Sequence, residues 1–258
     1  MLHLISEQDL PKRPSSKKEL LSRVPSLYGN KYNILEKCGK GTGAPGIMTE
    51  MLLGSEGKNN TFGDCVGIEL KWKSVKSKSY LTMFHLEVDA NGADTRNSSL
   101  IPVLREYGYP GKKDKLVSFR HTVSDRSNKF DIEINKGTDG LRLVYRTMGG
   151  EEVYWSENDL LNGATKLKNL ILVAGSASKD SAGNRYVSIN SASYLTKFRT
   201  NHFLSLIRDR IIVVDFDFRE AHCGEMLKDN PVLRNHGTKF RIKMENLPKL
   251  WDSIEPII

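Results

Sequence analysis

In the stretch Gly63-Asp64-Cys65-Val66-Gly67-Ile68-Glu69-Leu70-Lys71-Trp72-Lys73, two carboxylates and an amine are spaced so that one divalent metal ion and one water molecule can meet among them. Glu69 and Lys71 lie two residues apart. On a β-strand over Gly67 to Trp72 they share one face, while Ile68, Leu70 and Trp72 face a core. Asp64 precedes Gly67, where a turn or bulge can swing its carboxylate back beside Glu69. Asp64 and Glu69 offer the oxygen ligands that a hard cation such as Mg²⁺ prefers. The Lys71 ammonium beside them can orient a water or offset charge building on a phosphorane-like transition state. An E-x-K pair alone is more often a solvated ion pair, so its surroundings decide.

Charge supplies the first of those surroundings. The 258 residues include 39 Lys and Arg against 31 Asp and Glu, a formal net charge of +8 spread along the chain. A folded basic surface attracts polyanions, and nucleic acid comes ahead of a membrane surface because no basic amphipathic helix stands out. No apolar run reaches membrane-span length, and Met1 to Leu10 lacks the pattern of a secretory signal. Cys38, Cys65 and Cys223 are odd in number and share no metal-ligand spacing, so they are expected as free thiols of a reducing cytoplasm, without structural zinc.

Periodicity outlines the scaffold around these residues. After a loose N-terminal arm, Ser15 or Ser16 caps a short helix over Glu19 to Val24. Gly39-Lys40-Gly41-Thr42-Gly43-Ala44-Pro45-Gly46 resembles a phosphate-binding loop, yet no Lys-Ser or Lys-Thr pair closes it. It is expected as a turn feeding a helix with Pro45 in its first turn and Gly54 at its end, which places Glu50 mid-helix, able to lean toward Asp64. Tyr80 to Val88 alternates like a strand and is expected to form a hairpin or meander with the Glu69 strand. A helix is expected over Ser98 to Tyr107, strands over Lys115–Thr122, Lys129–Asn135, Gly140–Thr147 and Val153–Trp155 as one antiparallel sheet, and a helix over Ser156 to Gly163. The continuous apolar run Leu170 to Ala174 suggests a strand buried on both faces. Beyond it come a strand from Tyr186, a helix over about Ser193 to Asp209, a strand over Ile211 to Phe218 and a closing helix over Glu245 to Trp251.

Helix with Glu50, then Asp64, then Glu69-x-Lys71 resembles the catalytic core of the PD-(D/E)xK nucleases. More narrowly, the chain resembles the MvaI/BcnI family of type II restriction endonucleases, whose core is related to MutH. Five blocks carry the likeness: Gly63-Asp64 with Glu69-Leu70-Lys71, Tyr80 to His85, Val153-Tyr154-Trp155-Ser156, Leu167 to Val173, and His236-Gly237-Thr238-Lys239-Phe240-Arg241-Ile242. The resemblance implies a mixed α/β fold, a restriction-endonuclease-like core with a second, β-rich recognition lobe forming a DNA cleft. The catalytic lobe would span residues 1–90, completed by about 165–205, with a β-rich part at 91–164 and a DNA-recognition segment at 206–258, the lobes interleaved in sequence.

It further implies a Mg²⁺-dependent monomer of the bacterial cytoplasm that cleaves double-stranded DNA at a short CC/GG-type site. Cleavage would proceed by sequential nicking and leave 5′-phosphates; a cognate DNA methyltransferase would belong to the same system without being a physical partner. Asp64, Glu69 and Lys71 match the catalytic positions, with Glu50 as a helical acidic residue. Asp64 and Glu69 would be the metal ligands. His85 matches a histidine that probes the central base pair, Asp215 an acidic residue near the recognition strand and Arg241 an arginine that reads guanine; Arg219, His236 and Lys239 join them in the DNA-contacting set. Independently of the family, an arginine can bond guanine O6 and N7 in parallel and a carboxylate can accept from cytosine N4. Lys239 and Asp217 depart from the residues of BcnI and MvaI at those positions. The alternatives are a MutH-like repair nickase dependent on a partner protein, and a non-catalytic DNA-binding module.

Overall fold

The apolar run Leu170-Ile171-Leu172-Val173 is buried on both faces and forms the middle of a mixed sheet. The computed structural model describes residues 1–55, 64–86, 103, 106–111, 116–124, 130–138, 140–150, 152–220, 233–235 and 238–258. It divides into two units, one of Met1–Ser79, Thr165–Arg199 and Pro248–Ile258, the other of Tyr80–Ala164 and Thr200–Leu247.

In the first unit the Leu170–Lys179 strand pairs antiparallel with Arg185–Phe198 on one side and parallel with Glu69–Ser74 on the other. Arg185–Phe198 also takes Lys31–Asn33 and Trp251–Pro256, and Leu2–His3 adds a parallel edge. The arm expected to be loose therefore begins in a strand, with Leu2 beside Lys31. A helix over Ala44–Leu52 packs its apolar residues Ala44, Met48 and Leu52 into the core formed by Leu70, Ile171, Val173, Val187 and Ile189. Pro45 stands in its first turn, where no amide partner is needed, and Gly54 ends it at φ +85°. Ser16 caps the Lys17–Arg23 helix by accepting the Glu19 amide.

The second unit holds a sheet in the order Leu81–His85, Lys239–Ile242, Ile212–Glu220, Val117–Val123, Tyr109–Pro110, with Leu233–Asn235 also beside Ile212–Glu220. A separate three-stranded sheet runs Phe130–Gly137, Gly140–Thr147, Glu152–Ser156. An aromatic core of Phe84, Phe119, Tyr145, Trp155, Phe203, Phe216, Phe218 and Phe240 fills the interior, with Phe84 and Phe240 stacked at 4.9 Å.

Four expectations are corrected. The Glu69 and Leu81 strands are not a hairpin; they belong to different sheets and units. The single sheet expected across 115–155 is split, because Val117–Val123 pairs with Ile212–Glu220 instead of Phe130–Gly137. Ser193–Asp209 is not one helix: the Arg185–Phe198 strand takes its first six residues, paired with Trp251–Pro256 and, up to Leu195, with Leu170–Lys179, and only Phe203–Arg208 is α-helical. The closing helix is a 3-10 turn over Met244–Lys249, limited by Pro248, followed by the Trp251–Pro256 strand. The helix expected over Ser98 to Tyr107 falls largely outside the described residues. None of the helices described is long and apolar enough to cross a membrane.

Candidate active site

Glu69 begins its strand at the point where the chain has just reversed. Cys65 and Ile68 exchange backbone hydrogen bonds around Val66 and Gly67, both with positive φ (+46° and +74°), which is the backbone of a tight two-residue hairpin turn. A β-branched residue in the left-handed region is unusual, and strain of this kind gathers at functional sites. The reversal carries Asp64 back along the free edge of the Glu69–Ser74 strand, where its Oδ2 accepts the Leu70 amide at 2.9 Å. On the other edge the Glu69 amide bonds to Asn169, in register with the parallel strand.

Glu69 is 1 % exposed. Its Oε1 accepts from the Lys71 ammonium and pairs with Lys166 Nζ 3.3 Å away. Its Oε2 is buried and has no hydrogen-bond partner. An ionised oxygen left so costs several kcal/mol unless a cation or donor meets it. Asp64 and Glu50 complete the cluster. Burial, then the nearby Asp64 charge, pushes the Glu50 carboxyl up to about 7, against the opposing pull of Lys71 and Lys166. Burial and Glu69 likewise raise Asp64, which the Leu70 amide partly offsets. Three acids crowd together with two ammonium groups. Among the described residues no three His, Cys, Asp or Glu groups form a ready-made metal cage. Asp64 and Glu69 nevertheless fit a hard divalent ion, because the orphaned Oε2 of Glu69 needs a positive partner and two carboxylates are a usual protein share for such an ion.

In the second unit, the strand pleat sorts residues the same way. Phe216 and Phe218 turn into the aromatic core, and Asp215 and Asp217 take the opposite face. There Arg241 Nη1 donates to Asp215 Oδ2 at 2.9 Å, and Thr122 Oγ1 donates to Oδ1 of the same carboxylate at 2.5 Å. Lys239 Nζ lies 2.7 Å from Asp217 Oδ2, and Arg120 Nε 3.1 Å from Asp217 Oδ1. Exposed His85 is the register partner of Lys239, and Arg219 faces Ser118 across the next pair of strands. His236 lies outside the described residues.

A model of the MvaI/BcnI restriction endonuclease family matches residues 22–251. The chain belongs to that family. A solved structure described as a restriction endonuclease MvaI–cognate DNA substrate complex is 25 % identical, with a TM-score of 0.69 over 94 % of this chain and 96 % of that one. MvaI in the absence of DNA is 20 % identical, with a TM-score of 0.49 over 96 % of this chain and 100 % of that one. No curated protein matches the chain.

As an MvaI/BcnI-family enzyme, the protein is a restriction endonuclease, a site-specific deoxyribonuclease on a mixed α and β fold. The structure draws Glu50, Asp64, Glu69 and Lys71 into one cluster. It also shows members that sequence reasoning missed. Lys166 reaches Glu69 from a 3-10 turn over Thr165–Lys168, held by buried Leu167 and by the Trp251 indole donating to the Leu167 carbonyl at 2.9 Å. The only sequence signal near it was the adjacent block starting at Leu167. Arg120 and Thr122 were invisible because cross-strand pairing alone brings them to Asp217 and Asp215.

Proposed function

We propose that this endonuclease hydrolyses double-stranded DNA with Mg²⁺ at a short CC/GG-type site, acting as a monomer that nicks the strands in turn and leaves 5′-phosphates. The first unit does the chemistry and the second reads the bases. The observation that carries the chemistry is the buried, partnerless Glu69 Oε2 beside Asp64 and two lysines.

Asp64 and Glu69 are the residues that would hold the ion. When bound, it would polarise the scissile phosphoryl group and acidify a nearby water. The chain's own groups divide the remaining work. Lys71, partly exposed and tethered to Glu69 Oε1, holds the attacking water in line and offsets charge on the phosphoryl oxygens. Glu50 ionises near neutrality, which suits it to accept the proton that water gives up. Attack of the water oxygen at phosphorus breaks the bond to the 3′ oxygen, which leaves as a hydroxyl by taking a proton from solvent, so the phosphate stays on the 5′ end.

For recognition, Arg241 donates to guanine O6 and N7, and Asp215 accepts from cytosine N4; the two orient each other, and Thr122 further fixes Asp215. Lys239 and His85 stand side by side for an adjacent base pair, with Arg219 and His236 in the same DNA-contacting set.

The test is plasmid cleavage. Lys71→Ala should retain DNA binding yet lose cleavage by at least about a hundredfold, the usual loss for a transition-state charge stabiliser. Wild-type digestion should pass through a nicked circle before the linear form. Near-normal cleavage by Lys71→Ala overturns the catalytic assignment.

A further inference from the structure

The Gly39–Gly46 loop has no part in the chemistry above, yet it borders a cavity of about 460 Å³ in the first unit. Trp72 and Ser74 of the Glu69–Ser74 strand line that cavity, on the face that alternates away from Glu69 and Lys71. The cavity is therefore separate from the cluster of acids.

Its shape has a local cause. The pairing of Leu170–Lys179 with Arg185–Phe198 slips between Ala174 and Gly175. A Cβ on Gly175 would lie 2.9 Å from Trp72 Nε1 and 2.3 Å from the Ser188 carbonyl oxygen, so only glycine lets the indole settle there. Trp72, with Ile34, Pro45 and Ala177, makes an apolar wall.

The same cavity is lined by Lys40 and Thr42 of the glycine-rich loop, and by Ser178, Lys179 and Arg185 from two neighbouring strands. Arg185 Nη2 donates to the Gly39 carbonyl at 2.5 Å and so ties the loop to the sheet. Lys40 and Lys179 are exposed, and among the described residues neither makes an ion pair. Both also line an adjoining cavity of about 930 Å³ with Arg185. Three cations and three hydroxyls, those of Thr42, Ser74 and Ser178, together with aromatic and aliphatic lining match a ligand with an anionic head and a flat, weakly polar body. The volume falls within the range of about 300–1,000 Å³ usual for small-molecule sites.

We propose that this cavity binds a nucleoside phosphate, with the phosphate among Lys40, Lys179 and Arg185 and the base against the Trp72 wall. The loop lacks the Lys-Ser or Lys-Thr ending of a phosphate-binding loop, and two of the cations arrive from other strands. The same chemistry is presented by a free nucleotide and by the 5′-phosphorylated end of a DNA strand.

Calorimetry on the full chain, in chelator, tests it with deoxyadenosine 5′-monophosphate, deoxyadenosine, inorganic phosphate, and a short oligonucleotide with and without a 5′-phosphate. The monophosphate should bind with unit stoichiometry, and deoxyadenosine and phosphate each at least about tenfold more weakly, since each keeps only half the contacts. The exposed double variant Lys40→Ala/Lys179→Ala should weaken the monophosphate by at least about tenfold, while Lys71→Ala leaves it unchanged. Competition by the 5′-phosphorylated oligonucleotide but not its unphosphorylated twin identifies a DNA end as the source, and absence of competition identifies the free nucleotide. No saturable binding at millimolar monophosphate, binding that survives the double variant, or binding lost in Lys71→Ala overturns the proposal.

Discussion

Asp64 and Leu70 are joined across the Val66-Gly67 turn, the carboxylate Oδ2 accepting the Leu70 amide at 2.9 Å. This bond caps the outer edge of the Glu69 strand and fixes one oxygen of Asp64, leaving the other for a ligand. The geometry depends on two successive left-handed residues. A Cβ at Gly67 would meet nothing nearer than Lys17 Cε at 3.8 Å, so Gly67→Ala tests the backbone alone. Its φ of +74° should cost about 1–2 kcal/mol in a urea titration, and cleavage should fall as Asp64 shifts. Gly67→Asn should lose less on both counts, because asparagine tolerates that region.

The raised Glu50 carboxyl sets a pH dependence in metal-free protein. In the unfolded chain it titrates near 4.5, and in the fold at about 7. The fold thus favours the protonated acid, so its contribution is fully present below pH 4.5 and is lost as pH rises through 7. Asp64 is shifted in the same direction. In chelator, the protein should be less stable at pH 8 than at pH 4.5, with at most roughly 3 kcal/mol from Glu50. Denaturation at the two pH values measures it. Glu50→Gln should flatten the difference, and Mg²⁺ should restore stability at pH 8; a slope of the opposite sign would rule out this account of Glu50.

Lys166 and Lys71 share Glu69 Oε1 but differ in origin, one from the Thr165–Lys168 turn and one from the strand itself. Removing a positive charge beside the acids should strengthen divalent-ion binding while removing stabilisation of the reacting phosphate. Lys166→Met is therefore expected to tighten Mg²⁺ severalfold in calorimetry and slow cleavage by about tenfold or more. A variant weakened in both would show that Lys166 serves only to shape the turn.

What the sequence disclosed follows the range of the interactions. Asp64, Glu69 and Lys71 are legible because strand alternation and a glycine turn act over a few residues. Lys166 is not, since its placement needs Trp251, 84 residues from the carbonyl it grips. The expected hairpin between the Glu69 and Leu81 strands failed for a related reason: the true partner of Glu69–Ser74 is a parallel strand about a hundred residues on, and parallel pairing always needs a long crossover. The helix expected from Ser193 had little local support, since Tyr194, Thr196 and Phe198 favour a strand, and pairing with Leu170–Lys179 up to Leu195 and with Trp251–Pro256 up to Phe198 holds them in one. Asp215, Asp217, Lys239 and Arg241 were visible in the sequence one at a time, and their pairing across strands was not.

That pairing bears on specificity. Arg241 gives one Nη1 bond to Asp215, while its Nε is buried without a partner. With Nε buried and Nη1 tethered, the planar fork has its remaining Nη donors to present to a guanine edge. Arg241→Lys keeps the charge and removes the fork. It should weaken binding to the cognate duplex by about 1–3 kcal/mol, relax preference at one base pair, and leave the affinity for unrelated DNA and its salt dependence nearly unchanged. Thr122→Val, which frees Asp215 Oδ1 without touching Arg241, should act at the same base pair but more weakly. Gel-shift titrations against single-base variants of the site, at two salt concentrations, separate the terms: a uniform loss across all sequences would make Arg241 a backbone contact instead of a reader of bases.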